Sequence, residues 1–179
     1  MKKVDTIIIG QGIAGSLLAI ELIEKGVDFL VLDNYLNHSS STVAAGLYNS
    51  VVFRKPTLGF NVQNVLPFAL HRYKELEQKL ACTFLHERPY AKFFENYATI
   101  NNWEATAADD KFRSYIKLPL KKQSIEGVKN DLPYAETKYT GNVDLPLFLN
   151  AVGTLLKEQK ALIQGNVKQI EYYQKITIL

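Results

Sequence analysis

The chain has 179 residues, 47% of them hydrophobic and 22% charged, with a net charge of +3 from 21 basic and 18 acidic side chains. That balance is globular and supports one compact domain or two small interleaved ones; it excludes a disordered, collagen-like or disulfide-stapled chain. The charge is too mild to point to nucleic acid, no apolar run is long enough to span a bilayer, and the lone Cys82 fits a reducing, cytoplasmic setting.

Val4 to Ile9 is short, β-branched and closed by Gly10, the pattern of a buried parallel strand. Ile13 to Lys25 then reads as a mostly buried helix, with Gly26 as its stop signal. Val27 to Leu32 reads as a second buried strand. Strand, helix and strand in about thirty residues make a right-handed βαβ unit with parallel strands.

The turn between the first strand and the helix is Gly10, Gln11, Gly12, Ile13, Ala14, Gly15, a G-x-G-x-x-G in the place where a dinucleotide fingerprint belongs. Gly10 permits the tight turn. Gly12 lets a pyrophosphate approach the backbone, and Gly15 lets the helix lie close to the strand. The unpaired N–H groups at the helix start, from Ile13 and Ala14 onward, favour phosphate. Asp33, followed by Asn34, ends the second strand, where an acid accepts hydrogen bonds from ribose hydroxyls and disfavours a 2′-phosphate.

This fingerprint serves NAD and FAD alike. The longer spacing adds Ala19, Leu22 and Gly26 to it. Residues 37–49 then run Asn, His, Ser, Ser, Ser, Thr, Val, Ala, Ala, Gly, Leu, Tyr, Asn. The hydroxyls of Ser40, Ser41 and Thr42 can donate to phosphate oxygens or to a polar ring edge, and Ala45 with Gly46 lets backbone approach a flat ring. His38 reads as a loop histidine.

The 4–50 segment resembles the D-amino-acid oxidase family, which includes glycine oxidase and sarcosine oxidase. There a Ser- and Ala-rich stretch ending in A-A-G runs beside FAD. Gly141, Val143, Asp144 and Phe148 resemble the segment that opens the helix returning that family's chain to its nucleotide domain. The resemblance implies a Rossmann-like α/β FAD-binding domain with a parallel sheet, over residues 1–63 and 144–179, and an inserted α+β part of a substrate domain over 64–143. It implies FAD as cofactor and an amine or amino acid oxidised by hydride transfer to the flavin. It names no catalytic residue and no metal. Family members are about twice as long, so the chain reads as an N-terminal, truncated portion that self-associates or needs its other half. The alternatives are a non-catalytic, partner-dependent subunit and an NAD-binding dehydrogenase.

The middle of the chain is less informative. Asn64 to Leu80 reads as a helix capped by Asn64, with Pro67 in its first turn and His71 and Arg72 on its exposed side. Thr83–His86 and Tyr90–Phe94 read as two short strands around a Glu87-Arg88-Pro89 turn. Cys82 is expected in the core, His86 carries no metal spacing, and Ile100 to Ala108 reads as a short helix packing Trp103. Lys111 to Lys129 reads as a solvated basic loop. Tyr134–Thr140 is an expected strand, and residues 141–146 are punctuation before an amphipathic helix led by Asp144. Ala161–Ile163 is an expected buried strand, with meander strands at Val167–Ile170 and Ile176–Leu179.

Overall fold

A computed structural model describes residues 3–34, 39–54, 56–122, 125–129 and 131–165. In chain order the elements begin with β1 (Thr6–Ile9), α1 (Ile13–Glu24), β2 (Phe29–Asp33) and α2 (Ser40–Val43). Three two-residue strands follow, β3 (Leu47–Tyr48), β4 (Val51–Val52) and β5 (Thr57–Leu58), then the long helix α3 (Val62–Leu80). Next come β6 (Leu85–Glu87), β7 (Tyr90–Lys92), α4 (Tyr97–Ala107), α5 (Asp110–Arg113) and β8 (Ile116–Lys121). The described part closes with β9 (Tyr134–Thr137), β10 (Gly141–Val143), α6 (Leu145–Glu158) and β11 (Leu162–Gln164).

By internal contacts the chain divides into two compact units, residues 1–44 with 145–179, and residues 45–144. The expected boundary stood at 63/64; residues 45–63 lie in the second unit.

The first unit is the expected βαβ. β2 is the central strand of a parallel sheet, with β1 on one side and β11 on the other. Ile8, Phe29 and Val31 occupy neighbouring register positions on one face of this sheet and are buried, with Ala19 and Ile20 of α1 and Val152 and Leu156 of α6 also in the core. α1 packs against α6. The other face carries Ile7, Ile9, Leu30, Leu32 and Ile163 as register neighbours. Three of these are largely open: Ile7 is 58% exposed, Ile9 53% and Ile163 46%. β11 therefore corrects the expectation of a buried strand: Ala161 is buried, but Ile163 lies on the face of the sheet that also carries the exposed Ile7 and Ile9. The expected strands at 167–170 and 176–179 lie outside the described residues.

Among its described residues the second unit has three small antiparallel sheets, β3-β10-β6, β7-β9-β8 and β4-β5. Its main core gathers Val51, Phe94, Ile100, Trp103, Ala107, Phe112, Ile116 and Ala135. Trp103 is 1% exposed, with Phe53 and Phe94 edge-on to it at 6.1 and 5.9 Å between ring centroids. Aromatic pairs favour that geometry because the positive ring edge meets a negative face.

Several expectations for this unit are corrected. β6 and β7 do not form a hairpin: β6 pairs with β10 and β7 with β9, so the Glu87-Arg88-Pro89 turn carries the chain from one sheet to another. Residues 111–129 are not all loop. Phe112 and Ile116 enter the core, and β8 follows, its pairing with β9 skipping from Lys117 to Lys121 across Pro119, which has no N–H to give to a ladder. Residues 141–143 form the central strand β10 rather than punctuation. α3 starts at Val62, with Asn61 as a left-handed N-cap residue making no side-chain cap, so Pro67 falls in the second turn and leaves the Gln63 carbonyl without its helical N–H. Cys82 is half-buried rather than core. His71 is exposed as expected, whereas Arg72 is half-buried; both meet Glu75 at 3.2 Å.

Candidate functional site

The glycine turn leaves β1 with the Gly10 N–H donating to the Leu32 carbonyl at 2.8 Å. Gly10 then takes a φ of +93°, a conformation other residues adopt only with strain. Gly12 is the N-cap residue of α1 in extended backbone open to any residue, so what glycine provides here is room beside the Ser41 side chain. A Cβ there would stand 3.0 Å from the Ser41 hydroxyl. Gly15 is the tightest of the three: a Cβ would lie 2.1 Å from the Gly10 carbonyl oxygen and 3.2 Å from Ile8. The first turn of α1 thus lies directly on the turn and strand before it, as the sequence implied.

α1 has no acidic residue in its first turn and no side-chain cap from its N-cap residue. Its leading N–H groups have no helical acceptors, by the geometry of any helix start. One is satisfied from another element: Ile13 N–H donates to Ser41 Oγ at 3.2 Å. A serine oxygen on a helix start occupies the kind of place a phosphate oxygen would.

Asp33 also serves the turn. Its carboxylate Oδ2 accepts the Gln11 N–H at 2.6 Å, and its carbonyl accepts Gly165 N–H at 2.9 Å. The acid is half-buried and Asn34 beside it is exposed. Sequence reasoning passed over Gln11. Its side-chain Nε2 donates to the Leu149 carbonyl of α6 at 2.8 Å, a partner no local pattern could have revealed.

The hydroxyl run separates into distinct roles. Ser39 is the N-cap residue of α2, its oxygen accepting the Thr42 N–H at 3.3 Å, while the Thr42 hydroxyl donates back to the Ser39 carbonyl at 2.9 Å. Ser41 reaches the glycine turn; Ser40 is exposed. Gly10, Gly12, Ile13, Ala14, Gly15, Asp33, Asn34, Ser40, Ser41 and Thr42 all belong to the first unit. Ala45 and Gly46 belong to the second, where Gly46 has a φ of +64° and its carbonyl accepts the Val143 N–H at 3.0 Å. Residues 37 and 38 lie outside the described residues.

In the second unit, Gly141 of the G-x-V-D segment is sterically obligatory: a Cβ would stand 2.1 Å from the His86 carbonyl and 2.6 Å from the Tyr48 hydroxyl. Burial first, then the charge of Glu87 and the presence of Tyr90, push the Tyr48 phenol up to about 12. Tyr48 therefore stays protonated and is no base. Burial, then Glu77, pushes the Cys82 thiol up as well, which disfavours a nucleophilic thiolate. Among the described residues no three His, Cys, Asp or Glu side chains cluster to hold a metal ion, and no helix is long and apolar enough to cross a membrane.

Residues 5–177 match the DAO family, described as FAD dependent oxidoreductase. Among solved structures the chain is similar to NikD, an unusual amino acid oxidase essential for nikkomycin biosynthesis, at TM-score 0.67 and 20% identity over 91% of this chain and 43% of that one. It is similar to L-proline dehydrogenase from P. horikoshii at TM-score 0.67 and 18% identity, over 91% and 44%. Glycine oxidase from Bacillus cereus ATCC 14579 gives TM-score 0.63 and 17% identity, over 96% and 50%. At these identities the likeness is one of fold, and the chain spans half or less of the length of each.

Proposed function

This chain belongs to the DAO family of FAD dependent oxidoreductases, and from that premise we propose that its first unit holds the dinucleotide part of FAD. The observation that carries the reading is the Gly15 contact: the helix start is pressed so close to Gly10 that only glycine fits, which aims the leading N–H groups of α1 past the end of the sheet. Gly10, Gly12, Ile13, Ala14 and Gly15 form the pyrophosphate cradle in this reading, with Ser41 beside it. Asp33 and Asn34 face the ribose, and Ser40 and Thr42 flank the phosphates. The second unit contributes to substrate binding.

The protein to which these residues belong oxidises an amine or amino acid. FAD, when bound, supplies the two-electron acceptor for the substrate hydride. The chain's own residues bind, orient and exclude water, and no side chain here is assigned as a base. A cytoplasmic setting is part of the same reading, supported by Cys82 as the only cysteine.

The test is the visible absorption spectrum of the purified chain, before and after FAD is added and the excess removed. A retained flavin band supports a complete FAD site. Loss of the band together with no binding of ADP overturns the reading.

The open face of Ile7, Ile9 and Ile163 favours a second feature, self-association of the chain through this side of the parallel sheet. Light scattering should give a dimer for the native chain and a monomer for Ile9→Lys; a native monomer rules the association out.

A further inference from the structure

Gln11 sits at the second position of the glycine turn, where the fingerprint asks for no particular side chain. Two hydrogen bonds hold it. Its own N–H donates to Asp33 Oδ2 at 2.6 Å, tying the turn to the end of β2. Its side-chain Nε2 donates to the Leu149 carbonyl at 2.8 Å, tying the turn to α6. A carbonyl can only accept, so the amide must present its nitrogen there. The opening for that amide is made by Gly153, one helical turn beyond Leu149: a Cβ on Gly153 would stand 3.2 Å from both Nε2 and Oε1 of Gln11. Gly153 is a buried glycine in the interior of α6, a place where glycine weakens a helix relative to alanine. The space it leaves is used by Gln11.

We propose that Gln11 is a positioning residue for the nucleotide: its side chain clamps the glycine turn to α6, and so fixes the direction in which the N–H groups of Gly12, Ile13 and Ala14 point. The inference rests on the reading that this turn binds the pyrophosphate. The two ties are separable in physical terms. The tie to Asp33 is backbone and survives a change of side chain; the tie to Leu149 is lost with the amide. With the second tie gone, the turn has more conformations to give up when it orders around a phosphate, and affinity falls by that cost.

The experiment measures ADP binding to the full chain by calorimetry, for the native protein, Gln11→Ala, Gln11→Met, Gly153→Ala and the Gln11→Ala/Gly153→Ala double variant, with a thermal melt of each ligand-free protein. Gln11→Ala should weaken ADP roughly three- to tenfold, the range of one lost hydrogen bond. Gly153→Ala keeps Gln11 but crowds its amide, and alanine favours the helix; it should also weaken ADP while the melt holds or rises. In the double variant the Gly153→Ala effect on ADP should vanish, because the amide it displaces is gone. Unchanged ADP affinity in Gln11→Ala with a lowered melt makes the contact a structural tie only and overturns the proposal. Unchanged affinity in Gln11→Met, which keeps the length of the side chain without its donor, does the same, and it covers the case in which Gln11→Ala fails to fold. Absence of ADP and FAD binding in the native chain overturns the nucleotide reading itself and this inference with it.

Discussion

The position of a Cβ on Gly15 lies 2.1 Å from the carbonyl oxygen of Gly10, closer than any non-bonded carbon and oxygen can stand. The oxygen belongs to backbone, and Gly10 is itself held by its N–H bond to Leu32. Neither side can yield without moving α1 off the strand. Gly15→Ala should therefore destabilise the chain by about 1–3 kcal/mol, the range of an overpacked core, and should abolish nucleotide binding. Urea unfolding followed by circular dichroism measures the first, and ADP calorimetry the second. A variant with native stability would mean that the helix is not pressed on the turn.

The hydroxyl run offers an internal control. Ser41 caps the Ile13 N–H and is half-buried, while Ser40 next to it is exposed. Ser41→Ala should cost about 1 kcal/mol, as a lost helix cap does. Ser40→Ala should change stability by less than about 0.5 kcal/mol, as for an open surface site. Denaturation midpoints of the two variants give the comparison. Equal effects would contradict the assignment of Ser41 to the α1 start.

Much of the first unit was legible in the sequence because its signals are local. The chain changes from a short β-branched run to a helix-length apolar pattern at a glycine, and these cues survive without knowledge of partners. The second unit was less legible because its burial comes from distant pairing. Gly141 to Val143 is too short and polar to announce a strand, yet it lies between β3 and β6. Phe112 and Ile116 sit in a basic, aperiodic stretch, and only the core around Trp103 makes them interior. At the site, the glycines and Asp33 follow a spacing rule, whereas Gln11 reaches a partner 138 residues away through a gap left by one glycine. Nothing near Gln11 in sequence carries that information.

Glu136 of β9 gives a pH dependence whose sign can be fixed. Its carboxylate accepts from Lys121 at 2.7 Å and Lys117 at 3.1 Å. The hydrogen bond from Lys121, then that from Lys117, holds its pKa below the ordinary 4.5 against the opposing effect of burial. A depressed carboxyl stabilises the fold at pH values above its unfolded pKa, and that contribution is lost as pH falls through the folded value. The native chain should thus lose stability on acidification below about pH 4.5 more steeply than Glu136→Gln, which has no carboxyl to protonate. Unfolding free energies measured across pH 3 to 6 compare the two; parallel curves would show that the lysines do not hold this carboxylate in solution.

The single tryptophan makes the core of the second unit directly observable. Trp103 is 1% exposed and lies edge-on to Phe94, which is itself buried, with the Lys92 ammonium 5.9 Å from its ring. Its emission should be that of a shielded indole in the native chain and should shift to the red on unfolding. Phe94→Ala removes one wall of this cluster and leaves a cavity beside the Trp103 ring. The expected cost is about 3–5 kcal/mol. A typical domain's total stability is only about 5–15 kcal/mol, so the variant should populate a loosened core well below the native midpoint. Trp103 fluorescence against denaturant reads that midpoint. A variant that keeps both the native emission maximum and the native midpoint would place Phe94 outside the packing of this core.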